Sequence, residues 1–268
     1  MNFAFIQGKI DYGKGIAATK LGPPYDCYRV TPTSNGDFPD GWTKIQSNYP
    51  IFAKKFTGEN KIMTGMRTST QWLDLIANMN PFLLGDVFLL VDPPFVPGAS
   101  YGPGATSIAG PTEEFNAIAL AWHPPVVKAI GARLDRLVTV FRSAVAPVAQ
   151  LDSSEYWQST HENDSPLILT NGVFSFGQPG QQGASFIPAG IGSAHRQTGS
   201  QFGPGVPGMQ KEMHWFFYLP PLPGYLPREG DAIIDMDGAR YLVENPYEQL
   251  SGAVGNQMIV DRQIAQAS

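Results

Sequence analysis

The sequence predicts a mainly β protein: two related small β-barrel or sandwich-like units with long Gly/Pro-rich loops and one or two short helices. Three observations carry that expectation. One short pattern is written twice. Charged residues make up only 15% of the chain, against roughly 25% on average. The 29 glycines and 24 prolines amount to about a fifth of the chain, against roughly 12% in average usage, and these residues interrupt helices and build turns. A hydrophobic fraction of 43%, with 12% aromatic residues, is enough for a real core.

The repeated pattern begins as Gly85-Asp86-Val87-Phe88-Leu89-Leu90-Val91-Asp92 and returns as Gly230-Asp231-Ala232-Ile233-Ile234-Asp235-Met236-Asp237. An aromatic strand start follows each, Glu114-Phe115-Asn116-Ala117-Ile118 and Arg240-Tyr241-Leu242-Val243. Each then closes on a hydrophobic run reaching arginine, Leu137-Val138-Thr139-Val140-Phe141-Arg142 and Gln257-Met258-Ile259-Val260-Asp261-Arg262. Gly-Asp before a strand is a general turn-to-strand signal. Its weight here lies in the recurrence of all three parts in one order.

Four regions follow. Residues 1–80 form an N-terminal helix-strand region. A short helix ends near Lys20-Leu21, with Gly22 suited to a left-handed cap and Pro23-Pro24 forbidding continuation, and Tyr25-Asp26-Cys27-Tyr28-Arg29-Val30 alternates as a strand. Thr31 to Asp40 reads as loop. Trp72, Leu75, Ile76 and Met79 follow helical spacing behind Ser69 or Thr70 as N-cap, although 68–72 also reads as strand. Residues 81–142 form the first β unit, with the Gly/Pro/Ala/Ser/Thr insertion 93–112, a length usually tied to function or disorder. Residues 143–210 form a Gly/Pro-rich middle region. It holds Pro166-Leu167-Ile168-Leu169-Thr170 and Gly172-Val173-Phe174-Ser175-Phe176, with Asn171-Gly172 near the turn, and a stretch from Gly177 to Gly208 that reads as an arm ordering on assembly. Residues 211–268 form the second β unit. It opens on the strand Lys211-Glu212-Met213-His214-Trp215-Phe216-Phe217-Tyr218-Leu219, continues through the extended linker Pro220-Pro221-Leu222-Pro223-Gly224, and contains a hairpin turning at Asp237-Gly238, both of which tolerate positive φ.

Several functions are disfavoured. The net charge is −5 with no run of Lys or Arg, so nucleic acid and anionic membranes are not expected as direct partners. Cys27 stands alone, which excludes an intrachain disulfide framework and a multi-cysteine zinc site. Residues 1–9 lack the pattern of a secretory signal. The most apolar stretch, Phe115 to Ala132, is cut by Pro124-Pro125 and carries His123 and Lys128, so no membrane span is expected.

No catalytic, cofactor-binding or metal-binding residue is nominated. His123, His161, His195 and His214 show no i, i+4 metal spacing. No serine sits in a Gly-x-Ser-x-Gly elbow, and Cys27 lies in an apolar strand where a thiol is inert. Asp235, Asp237 and Gly238 fail the calcium-loop pattern because Ile233 occupies a ligand position. The loop Gly98 to Thr106 lacks the phosphate-binding lysine, and Pro103 removes a donor. No carboxylate pair of glycosidase type is singled out. Trp215-Phe216-Phe217-Tyr218 alternates apolar groups onto both strand faces, which favours core over a sugar platform.

The second unit resembles small β-barrel proteins of tailed bacteriophages, which form rings at the head-to-tail junction or along the tail axis. The matching residues are Arg228-Glu229-Gly230-Asp231-Ala232-Ile233-Ile234, then Asp237-Gly238-Ala239-Arg240-Tyr241-Leu242-Val243, then Met258-Ile259-Val260-Asp261-Arg262. Tyr12-Gly13-Lys14 through Lys20-Leu21-Gly22-Pro23-Pro24-Tyr25-Asp26-Cys27-Tyr28-Arg29 resembles phage virion proteins of unassigned role. The resemblance spans about half the chain and implies a non-enzymatic virion component, made in the host cytoplasm and ending in the particle. It implies homo-oligomeric ring assembly in the neck or tail, with copies of itself and portal, neck, tail-tube or fibre proteins as partners. Head-tail connector, tail-tube adaptor, tail hub and fibre-anchoring ring all stay open, because this chain is longer than a simple head-closure protein and carries the unit twice. No cofactor and no catalytic residue is implied. The expected assembly contacts are Pro94, Phe95, Tyr101, Phe186 and Phe202, on the two long loops. The alternatives are a glycan-binding tail protein and a cell-wall or capsule hydrolase.

Overall fold

The computed structural model describes residues 3–55, 72–91, 115–122, 129–143, 164–181, 186–195, 214–246 and 255–263. Among them it is mainly β, with one helix and two antiparallel sheets. Helix α1 (Phe3–Leu21) comes first. The first sheet holds β1 (Pro24–Arg29), β2 (Thr43–Pro50), β3 (Phe52–Lys55), β4 (Trp72–Ile76), β5 (Val87–Leu90), β6 (Ala117–Trp122) and β7 (Ala129–Leu134). The second holds β8 (Arg136–Ser143), β9 (Asp164–Thr170), β10 (Val173–Phe176), β11 (Ile187–His195), β12 (His214–Leu219), β13 (Ala232–Asp235), β14 (Arg240–Pro246) and β15 (Asn256–Gln263).

The two sheets repeat one topology. The first runs β2-β1-β5-β6-β7-β4-β3, and the second contains β9-β8-β13-β14-β15-β12-β11. Each strand of the first thus has a counterpart at the same place in the second, and β10 is an added hairpin strand. In the second sheet β11 also pairs with β8, through Ile187↔Val138 and Ala189↔Arg136, which closes a six-strand barrel of β8, β13, β14, β15, β12 and β11. In the first sheet only the fully buried Ile51 separates the two edge strands β2 and β3. The sheet therefore curls until its ends meet at one bent segment.

This pairing moves the boundary between the repeats. The sequence grouped 137–142 with the first unit and matched it to 257–262. The hydrogen bonds put β8 at the start of the second sheet, as the counterpart of β1, and make β7 the counterpart of β15. Asp135 alone joins the halves. Its N–H donates to the Ala189 carbonyl at 3.0 Å, and its Oδ1 accepts from the Ile191 N–H at 3.2 Å.

Other local expectations are met or corrected one by one. Asn171-Gly172 turns β9 into β10 with positive φ at both residues, 52° and 75°, the type I′ geometry that matches strand twist. The hairpin at Asp237-Gly238 forms, but only Gly238 has positive φ. Asp235 supplies the rest by accepting from the N–H groups of Asp237 and Ala239 with one carboxylate oxygen. Residues 72–76 are strand, not helix. The buried Trp72, Asp74 and Leu75 share a strand that pairs with β3 and β7, and this pairing overrides the helical spacing. The expected short helix before Gly22 is longer than the sequence suggested and begins at Phe3. Gly22 does not take the left-handed conformation. It is needed because a Cβ there would lie 2.4 Å from the Ile51 carbonyl carbon.

Part of the Gly-rich stretch 177–208 is also strand. Ile187–His195 forms β11 in the barrel wall, so those residues are not an arm. Its small side chains permit close contact between the halves: a Cβ on Gly190 would lie 2.3 Å from the Arg133 carbonyl oxygen. The long loop after β1 straps the first half to the β9–β10 hairpin. The Gly172 N–H donates to the Ser34 carbonyl at 2.8 Å, and the Gly36 N–H donates to the Leu169 carbonyl at 3.2 Å. One hydrophobic cluster runs through both halves, joining Trp42 and Trp72 to Phe174, Phe217 and Tyr218. The Trp72 and Tyr218 rings meet edge-on at 5.4 Å. The aromatic run of β12 therefore belongs to the core, with Phe217 against Tyr241 at 4.8 Å.

Replacing Gly190 tests the seam between the halves. A Gly190→Val chain should lose about 2–3 kcal/mol of stability, because the added methyls meet backbone rather than a movable side chain. Urea denaturation measures this, and an unchanged midpoint would show that the seam is not tightly packed.

Candidate functional site

The repeated Gly-Asp turns are the best-defined polar sites in the fold. In the first, the Asp86 N–H donates to the Leu83 carbonyl at 3.1 Å while the Leu83 N–H donates to Asp86 Oδ2 at 2.8 Å. Gly85, at φ +90°, supplies the positive φ that the third position of this turn requires. The Gly85 N–H then donates to Leu120, and the Leu120 N–H donates to Asp86, which sets β5 against β6. Arg29, at the end of β1, grips the carboxylate with Nε at 2.7 Å and Nη2 at 2.6 Å. That bond raises the guanidinium's affinity for its proton, against the opposing effect of burial.

The second turn repeats this bond for bond. Asp231 bonds both ways with the Arg228 backbone, Gly230 has φ +84°, and Gly230 and Asp231 bond the Val243 backbone. Arg142 grips Asp231 with Nε and Nη2, each at 2.8 Å. Arg142 also lies 4.1 Å from the Phe176 ring centroid and donates to the Leu226 carbonyl. Tyr225 adds a hydroxyl bond to Asp231 at 3.2 Å. Burial, then the negative charge of Asp231, pushes its phenol well above the ordinary value. The arginine matched by sequence to Arg262 is therefore the structural partner of Arg29.

These clamps hold the fold rather than present free groups. Asp86 and Asp231 are each 1% exposed, and their oxygens are occupied. Asp235 is similarly filled by Arg136 at 2.9 Å, Tyr241 and its own hairpin. Cys27 is buried, and burial followed by the nearby charge of Asp86 pushes its thiol far up. Among the described residues no group of three or more His, Cys, Asp or Glu is placed to hold a metal ion. His195 and His214 stand opposite each other on β11 and β12, while His123 and His161 lie outside the described residues.

Of the five expected assembly residues, Pro94, Phe95, Tyr101 and Phe202 lie outside the described residues, as does the Gly-rich loop 98–106. Phe186 is half-buried against the common core. Its N–H donates to Asp37 Oδ1 at 3.2 Å, and its carbonyl accepts from the Phe38 N–H at 3.4 Å. Within the chain it joins the strap to β11.

The surface that sequence reasoning missed is on α1. The inward side of this helix is polar: Asp11 is buried and accepts from Gln7 at 2.9 Å and from Asn80 at 2.6 Å, with Ala18 buried further along. The opposite side carries Phe5, Lys9, Tyr12, Ile16 and Lys20, which share one face at helical spacing. Phe5 is 62% exposed, Tyr12 73% and Ile16 42%. The helix thus shows its apolar groups to the outside and its polar ones to the fold, the reverse of an ordinary surface helix. Gly8, Gly13 and Gly15 hid it in the sequence, since each weakens a helix by about 1 kcal/mol relative to alanine.

No protein-family model matches the sequence, and comparison with curated proteins and with solved structures gives no match.

Two measurements follow from this geometry. Asp86→Ala should cost about 2–3 kcal/mol, because it leaves the Arg29 cation and the Leu83 N–H without their acceptor. Arg29→Ala combined with Asp86→Ala should cost less than the two single losses added together; additive losses in denaturant titrations would mean that the clamp is not a coupled unit. Cys27 should resist alkylation in the folded chain up to mildly alkaline pH and react fully in denaturant, because only the thiolate attacks. The raised folded value means that increasing pH through the ordinary thiol range favours the unfolded chain. Rapid native labelling by iodoacetamide would contradict the buried placement.

Proposed function

We propose that this chain is a non-enzymatic structural component of a tailed-phage particle, working in the neck or tail as a connector, adaptor, hub or fibre-anchoring ring. The observation that carries the assembly part is the outward apolar face of α1. Three large apolar side chains aligned on one exposed stripe favour cover by another protein surface. The phage assignment rests on the resemblance of 228–243 and 258–262 to small phage barrel proteins. Those segments form β13, β14 and β15 of the closed barrel, the architecture that the resemblance implies.

Two sheets of one topology, one of them closed as a six-strand barrel, joined through Asp135 and sharing a hydrophobic cluster, suit a rigid building block. The aromatic run that a glycan-binding role would use is committed to the core at Phe217 and Tyr218.

Mass spectrometry of purified virions tests the proposal. The chain should be present in a fixed ratio to the portal and tail proteins, and removal of its gene should leave particles without a completed neck or tail. Absence from the virion, or release of sugar or peptide fragments by the purified chain, would overturn it.

A further inference from the structure

We infer that α1 is a self-assembly clasp, which docks by its outward face onto the acidic strap after β1 of a second copy of this chain. The inference rests on the assembly reading above and names the partner. The outward face of α1 combines Phe5, Tyr12 and Ile16 with Lys9 and Lys20, and no acidic residue lies on it. Lys9 Nζ stands 4.7 Å over the Phe5 ring, and no ion pair joins Lys9 or Lys20 to a described carboxylate. Two such faces would bring like charges together, so the face does not suit pairing with itself. It suits an acidic surface.

The chain supplies one. Asp37 and Asp40 are exposed on the strap, and no ion pair joins either to a described cation. Lys44, on the adjacent β2, is held by Asp26 at 2.6 Å. The carboxyl of Asp37 is pushed up by partial desolvation, with the neighbouring Asp40 charge adding to that rise and the Phe186 N–H opposing it. An incoming ammonium group would relieve that repulsion.

Within one molecule no hydrogen bond or ion pair joins the helix face to the strap among the described residues. The helix ends just before the first residue of β1, and the strap begins just after its last. A six-residue strand separates them by about 20 Å. Helix α1 packs over β2, β3 and β4. A basic, apolar surface at one end and an acidic surface at the other define a heterologous, head-to-tail contact, which closes into a ring when the rotation between copies allows.

Sedimentation of the full chain from micromolar to millimolar concentration, at low and high salt, tests the inference. Wild type should self-associate, less so in high salt. Tyr12→Glu, at an exposed position that leaves the fold intact by circular dichroism, should weaken association by about tenfold or more. Lys9→Glu with Lys20→Glu should do the same, as should Asp40→Lys in a separate chain. Asp37 is left in place because it holds Phe186. Mixing the two charge-reversed chains should restore one kind of contact, since the unchanged basic helix of the Asp40→Lys chain then meets the unchanged acidic strap of the other chain. A wild type that stays monomeric throughout, or that binds phosphatidylglycerol vesicles instead of itself, overturns the clasp. Oligomers indifferent to all of these substitutions also overturn it, while leaving the virion assignment to the particle analysis.

Discussion

The bidentate bond between an arginine at the end of one strand and the aspartate that starts another is the interaction on which both halves of this molecule depend. Arg29 reaches across 57 residues of chain to Asp86, and Arg142 reaches across 89 to Asp231. In each case the bond fixes two things together. It seats the first strand of the half beside the strand leaving the turn, and it holds the turn itself, whose carboxylate also ties down a backbone N–H three residues earlier. A guanidinium is always charged and presents paired donors in a rigid fork, so lysine cannot reproduce the contact. Once β1 lies against β5, and β8 against β13, the remaining order follows from hairpins and from the pairing of β4 with β7 and of β12 with β15, which brings β3 and β11 to the far side.

That interaction also explains what was legible in the sequence and what was not. The Gly-Asp pairs were visible because a positive φ beside a carboxylate is a local requirement, stated in adjacent residues. The two hairpin turns were visible for the same reason. The clamping arginines were not, because their partners lie dozens of residues away. Arg142 was matched to Arg262 as the end of an apolar run, when its true counterpart was Arg29. Trp72 to Ile76 showed helical spacing by accident, and only pairing with β3 and β7 decides it. Ile187 to His195 looked like loop because its glycines serve contact with the first half rather than turning. The end of helix α1 was visible at Gly22-Pro23-Pro24, but its full length was hidden by three glycines and its outward apolar face by the absence of any local signal for direction.

Duplication has consequences of its own. Two sheets of one topology could have been joined by a linker and moved independently. Here the junction is Asp135 alone, bonded on both its backbone and side chain to β11, and the strap of the first half replaces solvent around the β9–β10 hairpin. Trp72 of one half meets Tyr218 of the other inside a common core. The strand β11, which closes the barrel of the second half, therefore also forms its wall against the first half. The halves have since diverged where they meet outside: the second carries an extra hairpin and a two-residue extension, Leu226-Pro227, before its Gly-Asp turn, whereas the first carries the long insertion after β5.

The direction of α1 is the remaining physical problem, and its resolution links fold to assembly. Burying Asp11 costs desolvation, which Gln7 and Asn80 offset with hydrogen bonds; neither bond accounts for the exposure of Phe5, Tyr12 and Ile16. Turning the helix about its axis would place those apolar groups against the sheet and Asp11 in water, an arrangement the hydrophobic effect alone would favour. The observed orientation therefore makes better sense when the isolated chain is not the final state. In an assembly the apolar stripe is covered, the buried polar side locks the helix at a defined rotation, and the lysines flanking the stripe select a surface of opposite sign. A helix anchored by hydrogen bonds and left apolar outside has its direction set before the partner arrives. Pre-setting that direction reduces the ordering cost of association, so a modest stripe of three side chains can contribute more than its area suggests.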